Sequence, residues 1–237
     1  MKLNTCLVGG LAVVGLLGFG AAKGRAQMMF FEVDRAVPDG NPAGLADVRT
    51  LGGIAPGLPF TVGLSIRGRD EDGMLSGDLY VTLSHEGVGG EVDAMVVLLN
   101  RPGRRVEDGE GYKDNGLAVT FSADGDLPDV HNYRLVLNGD HGIPLGGPLT
   151  GMWSPDGRST DPDGVLDTDP RDTDLASFFA LETYDGKWTL FVADLMPGGT
   201  AQLESWSLTF VPEPSRVALM FGAGLLVLAG LRRRGRG

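Results

Sequence analysis

The sequence predicts an all-β sandwich, flanked by an N-terminal signal peptide and a C-terminal transmembrane helix. Three observations lead there. Apolar and polar residues alternate with period two in one short run after another. Clusters of Gly, Pro, Asp and Asn separate those runs. Uncharged apolar stretches stand near both ends, Leu7 to Phe19 and Val217 to Leu231.

Residues 1–26 have the build of a secretory leader. Lys2 supplies the positive charge, Leu7 to Phe19 the apolar core, and small residues follow. Cleavage after Ala22 or after Ala26 fits the small-x-small pattern equally well. Cys6, the only cysteine, lies before the apolar core, on the wrong side for lipid attachment. With the leader removed, no disulfide and no thiol nucleophile remain in an oxidising compartment.

Residues 27–50 form a lead-in whose pattern leaves two readings open, a first strand or an irregular segment. From 51 to 211 the alternation is plain. Val62, Leu64 and Ile66 form one set, Leu79, Val81 and Leu83 a second, and Leu117, Val119 and Phe121 a third. Tyr133, Leu135 and Leu137 follow, then Trp188, Leu190 and Val192, then Trp206, Leu208 and Phe210. Ala94 to Leu99 is continuously apolar, as in a strand buried on both faces. No long stretch of period 3.6 competes, so two packed sheets are the expected architecture. Trp188 and Trp206 read as core residues, each able to bury a large ring if its N–H finds a partner. Trp153, in the loop-like Gly151 to Pro155, reads first as a packed ring and otherwise as the candidate for stacking on a sugar ring, with Tyr112 and Tyr133 as further platforms.

Charge narrows the partners. Between Arg25 and Arg216 lie all 31 acidic residues and 12 of the 20 Lys and Arg, a net charge of −19. Such a surface repels phosphate backbones, so nucleic acid is excluded as a partner. The acidity is densest in the stretch 161–174, which holds six aspartates. Oxygen ligands at short spacing, with Gly164 for a tight turn, suit calcium, and Asp161, Asp163, Asp167 and Asp169 are the expected ligands. The alternative is a solvated loop whose aspartates make local turns.

The last segment orders three features. Val211, Pro212, Glu213, Pro214 and Ser215 form a short polar motif that the two prolines keep extended. Val217 to Leu231 follows, 15 uncharged residues. As a helix it spans roughly 22 Å, short of the ~30 Å hydrocarbon core unless flanking arginines snorkel. Arg232, Arg233, Arg234 and Arg236 then stop transfer and hold the C-terminus in the cytoplasm. In its Pro-Glu-Pro triplet, glycine-interrupted span and terminal arginines this tail resembles the PEP-CTERM sorting domains. The resemblance covers about a tenth of the chain. It implies processing by an exosortase-type transpeptidase, an inner-membrane precursor facing the periplasm, and delivery to the cell surface or an exopolysaccharide matrix.

A second resemblance spans 51–211. Asp185 to Asp194 followed by Gly198 to Phe210 looks like the final hairpin of proprotein-convertase P-domains. Gly77-Asp78-Leu79, the run Val96 to Leu99 with Asn100-Arg101-Pro102-Gly103, and Leu117 to Asp124 are similar to earlier blocks of that family. The implied fold is a jelly-roll-like β-sandwich. The histidine that usually precedes the Gly-Asp-Leu strand is missing, and the stretch 139–174 is unusually long.

Catalysis is not expected. His85, His131 and His141 are the only histidines. Ser84-His85-Glu86 places three catalytic residue types in a row, but neighbours on a strand point to opposite faces. No nucleophile elbow, zincin motif or phosphate loop is present. Two non-catalytic classes remain: a structural or interaction module of surface or matrix, and a carbohydrate-binding module with a calcium-stabilised loop. Exposed aromatic rings would favour the second and buried ones the first.

Overall fold

The structure is a computed structural model that describes residues 26–69 and 73–211. Residues 1–25 of the expected leader, Pro212 to Ser215 of the expected sorting motif, the apolar stretch 217–231 and the arginines after it lie outside the described residues. Among the described residues no helix is long and apolar enough to cross a membrane.

Among the described residues nine strands make two sheets. The strands are β1 (Gln27–Ala36), β2 (Leu45–Leu51), β3 (Phe60–Gly68), β4 (Leu79–Glu86), β5 (Val92–Asn100), β6 (Leu117–Phe121), β7 (Leu149–Trp153), β8 (Gly186–Asp194) and β9 (Ala201–Phe210). One sheet has the order β1-β9-β3-β6-β7 and the other β2-β8-β4-β5. All pairings are antiparallel except β6 with β7. The all-β sandwich of the sequence is therefore present.

The lead-in resolves into strands. β1 pairs with β9 from Gln27↔Phe210, and β2 pairs with β8 from Leu45↔Val192. Met29, Phe31 and Val33 pack against the core while Met28, Phe30 and Glu32 face outward. The doublets Met28-Met29 and Phe30-Phe31 hide this alternation in the sequence, because both faces are apolar.

Two other elements differ from the sequence reading. Residues 186–194 and 201–210 do not form a hairpin. β8 lies between β2 and β4, and β9 between β1 and β3, so the chain changes sheet at the intervening turn. Gly198 and Gly199 both take positive φ there, and a Cβ on Gly199 would strike the Gly73 carbonyl oxygen at 2.5 Å. Period-two alternation alone cannot tell a hairpin from such a corner. The second difference is Tyr133, Leu135 and Leu137, which fall not in a strand but in the short helix α1 (Tyr133–Asn138). Asp129 accepts the His131 N–H and starts a 3₁₀ turn at Val130–Asn132, which runs into α1. Gly139 ends the helix in the left-handed conformation, with its N–H on the Leu135 carbonyl. Asn138-Gly139 is thus a helix stop rather than a hairpin turn.

The inward faces of both sheets meet in one core. Trp188 stands at its centre, fully buried, with Phe60 at 5.5 Å, Phe178 at 5.6 Å and Tyr184 at 5.9 Å between ring centroids. Its indole N–H reaches the Tyr184 carbonyl at 3.0 Å. Trp206, on the other sheet, packs on Phe31 and donates to Asp47. Val96 to Leu99 is buried throughout, as expected, while Met95 is exposed. Residues 156–173 cover that edge: Asp156 N–H and Gly157 N–H donate to the Leu98 and Val97 carbonyls, and Thr173 Oγ1 accepts the Val97 N–H.

Removing the central ring tests this account of the core. Trp188→Ala is expected to cost about 3–5 kcal/mol, the range for deleting a large buried aromatic. Val88→Ala, at a side chain 91% exposed, is expected to stay within about 0.5 kcal/mol. Urea unfolding of both variants measures the contrast, and equal losses would contradict it.

Candidate functional site

The chain's scarce cations converge where the long segment after β7 meets β5 and the Val130–Asn132 turn. Asp156 is fully buried at the centre. Its Oδ2 accepts from His131 Nδ1 at 2.7 Å and from the Asn100 N–H at 3.2 Å, and its Oδ1 from Arg158 Nη1 at 3.1 Å. Arg158 also donates to Asp129 Oδ2 at 2.9 Å and to the Asp167 carbonyl at 2.7 Å. Arg171 donates to the Asp156 and Pro155 carbonyls. Asn100 Nδ2 binds the carbonyls of Arg158 and Thr160.

The protonation state of His131 follows from its partners. Nδ1 faces a carboxylate and Nε2 faces the Arg104 carbonyl at 2.9 Å, both acceptors, so both nitrogens carry protons. Burial alone would depress its pKa. The hydrogen bond to Asp156 and the charge of that carboxylate outweigh burial and hold it above the ordinary value, against opposition from Arg158. Two cations, His131 and Arg158, therefore balance two anions, Asp156 and Asp129, in a buried cluster. While it carries both protons His131 has no free lone pair with which to take one from a nucleophile.

A second cluster lies beside it. Asp114 receives Arg134 through two bonds, 2.7 and 2.9 Å, the Tyr133 hydroxyl at 2.6 Å and the Leu145 N–H at 2.8 Å. Burial disfavours its charge, but these four donors prevail and hold its carboxyl below the ordinary value. Arg134 also lies over the Tyr112 ring at 4.7 Å.

The aspartates of 161–174 do not gather. Asp161 Oδ1 accepts the Asp163 N–H, as in an Asx turn, and Asp169 Oδ2 accepts the N–H of Leu166, three residues before it. Asp163 is exposed and 4.0 Å from Arg101. Asp167 engages through its backbone, N–H to the Arg104 carbonyl. Arg104 in turn takes the carbonyls of Pro162 and Asp163, oxygens a cation would want. Among the described residues no three acidic, histidine or cysteine side chains are grouped to hold a metal. The calcium expectation at Asp161, Asp163, Asp167 and Asp169 draws no support from this arrangement.

Nor does Trp153 offer a stacking face. It ends strand β7, is 3% exposed and donates its indole N–H to the Thr150 carbonyl at 2.9 Å. Tyr112 and Tyr133 are fully buried as well. Residues 151–153 looked loop-like because Gly151 and Met152 break the apolar alternation, yet they pair in parallel with β6. Ser84-His85-Glu86 is a stretch of β4 in which His85 alone is buried, against Trp188 at 4.9 Å. Among the described residues, surface depressions of about 250, 360 and 460 Å³ have no histidine in their lining.

Sequence reasoning missed the Asp156 cluster. The available signal was the small number of cations: three of the twelve between Arg25 and Arg216, namely Arg101, Arg134 and Arg158, are buried. It also missed two buried acids at the joined ends of β4 and β8. Burial pushes Asp194 up to about 7, with the charges of Asp78 and Asp39 adding to it. Burial likewise raises Asp78 to about 6, while Arg101 pulls the other way. Asp194 Oδ1 is buried with no hydrogen-bond partner.

These shifts set how stability depends on pH. A carboxyl raised on folding binds its proton more tightly in the folded chain. Its contribution is greatest in acid and is lost as pH rises through about 6 for Asp78 and about 7 for Asp194. His131, also raised, contributes fully below about 6.5 and loses its contribution as pH rises through its folded value. Asp114, depressed, acts oppositely, and only as pH falls below its ordinary 3.8. The protein is thus expected to melt higher at pH 5 than at pH 8. Asp194→Asn is expected to raise the pH 8 value and narrow the gap. Melting followed by circular dichroism measures both, and a profile peaking at pH 8 and unmoved by the variant would contradict the assignment.

No protein-family model matches the chain, and no curated protein matches it. Solved structures give distant likenesses. The serine protease of Aeromonas sobria in complex with its chaperone is 12% identical over 79% of this chain and 27% of that one, with a TM-score of 0.37. A second structure of the serine protease of Aeromonas sobria gives 13% over the same shares, with a TM-score of 0.33. The VP2 subviral particle of infectious bursal disease virus gives 9% identity over 94% of this chain and 54% of that one, with a TM-score of 0.27. The chain spans about a quarter of the protease's length, and at these TM-scores the likenesses carry no argument about activity.

Proposed function

We propose that this chain is an exported, non-catalytic module of the cell surface or an exopolysaccharide matrix, sorted through its C-terminal tail by an exosortase-type transpeptidase. The observation that carries the proposal is the order of features after Phe210: Pro-Glu-Pro, an uncharged span of 15 residues, then four arginines within five positions. The leader, read as a secretory signal, agrees with the topology those arginines impose.

Within the domain, the most densely bonded polar cluster is engaged in holding the fold. His131 and Arg158 close on Asp156 and Asp129. All three tryptophans are buried, as are Tyr112, Tyr133 and Tyr184. Buried rings favour the structural module over the sugar binder, because a stacking platform needs an open face. The net charge of −19 between Arg25 and Arg216 keeps such a module soluble and away from anionic polymers.

The test compares intact mass and localisation of the wild type and Glu213→Ala in the protein's own cells. Loss of the mass after Pro214 in the wild type but not in the variant, with wild-type material at the surface or outside the cell, is the expected outcome. Full-length protein in the inner membrane in both cases would overturn the sorting proposal and leave a simple anchored domain.

A further inference from the structure

Among the described residues β1 is an edge strand, bonded to β9 on one side only. Among the described residues, the one other hydrogen bond to the backbone of Gln27 to Val33 is a long contact of 3.4 Å from Arg49 to the Glu32 carbonyl. Such an edge presents a row of unpaired N–H and C=O groups that another extended backbone satisfies. The opposite flank of the other sheet is treated differently, since residues 156–173 bond the free edge of β5 and close it.

The two halves of β1 are unequally protected. Beyond Phe31 come Glu32, Asp34 and Arg35, with a register shift between Glu32 and Arg35 and Asp34 at φ 47°. Charges and a bulge are the usual defences of an edge. From Gln27 to Phe31 there is neither, and the outward side chains Met28 and Phe30 are 61% and 59% exposed.

We infer that this half of β1 pairs antiparallel with the same strand of a second copy, joining the two five-stranded sheets across a two-fold axis. The strand is self-complementary in that arrangement. With the axis at Phe30, that ring faces its own copy, Met29 faces Phe31, and Met28 faces Glu32, so no like charges stand opposite each other. The chemistry of the edge names the occupant. The backbone calls for a strand, and the uncharged side chains call for an apolar one. This stretch meets both demands, and it is a place where two domains of net charge −19 approach without bringing carboxylates together. An interface built from one patch on both subunits closes as a dimer. The inference rests on the edge alone and is independent of how the tail is processed.

Cysteine cross-linking tests it, because Cys6 is the only native thiol. Full-length chain carrying Cys6→Ser receives either Phe30→Cys or Met152→Cys under mild oxidant. Met152 is 51% exposed and lies on β7, the other edge of the same sheet. Facing residues of an antiparallel pair have Cα atoms about 4.5–5.5 Å apart, within disulfide reach. The expected result is a disulfide-linked dimer at Phe30→Cys in several-fold greater yield than at Met152→Cys. Association through the tail would raise both yields alike. Equal yields, no dimer at Phe30→Cys, or a cross-link from Phe30→Cys to a different protein would overturn the inference. As a second readout, Phe30→Lys is expected to shift the native chain from dimer to monomer in light scattering while its far-ultraviolet circular dichroism stays that of the folded sandwich, since the ring is exposed. A dimer that survives Phe30→Lys would count against the pairing equally.

Discussion

The carboxylate of Asp156 is where separate parts of the chain are held together. It lies three residues past the end of β7, yet it reaches the 3₁₀ turn before α1 through His131, the last residue of β5 through the Asn100 N–H, and its own loop through Arg158. Its backbone N–H adds a bond to the Leu98 carbonyl. One buried anion thus sets the position of a turn, a strand edge and a long irregular segment. A buried ion cluster contributes little net stability over an apolar replacement of the same shape, but loss of one member leaves uncompensated charge and is expensive. Its value is positional: with His131 and Arg158 both fixed on Asp156, the segment after β7 has one place to lie.

That constraint explains how an acidic chain covers its own sheet edge. Residues 154–174 are rich in aspartate and would stay in solvent if left to composition. Arginines draw them inward instead. Arg104 binds the carbonyls of Pro162 and Asp163, Arg158 that of Asp167, and Arg171 those of Pro155 and Asp156. Guanidinium groups suit this work because their donors fan out in one plane and cannot be deprotonated. The aspartate side chains left over face water or cap local turns. The sequence shows an acidic loop; the fold is governed by the few cations beneath it.

Much of the sandwich was legible because period-two alternation reports a strand with one face buried. β3, β4, β6, β8 and β9 fall where Val62, Leu79, Leu117, Trp188 and Trp206 begin their sets. β1 was not legible, since Met28 and Phe30 are apolar on the solvent side and erase the contrast. Residues 133–137 gave a false strand because Tyr133 is buried while Leu135 and Leu137 are exposed, so apolarity there does not mark the inward face. Which strands share a sheet was invisible as well. The turn between β8 and β9 reads as a hairpin until the paired strands are known. The cluster on Asp156 joins residues 25 to 56 positions apart in sequence, a separation that no local pattern reveals.

Hydrogen exchange on the full chain, comparing wild type with Asp156→Asn, tests the central role of that carboxylate most directly. The substitution keeps the shape and removes the charge. The account predicts that protection is lost at the amides of Val97, Asp156 and Gly157, where the long segment meets β5, while the amides joining β3 to β9 keep theirs. Unchanged protection along residues 154–174 would contradict it, and so would a uniform loss across both sheets, because either result would mean that the segment is held by something other than Asp156.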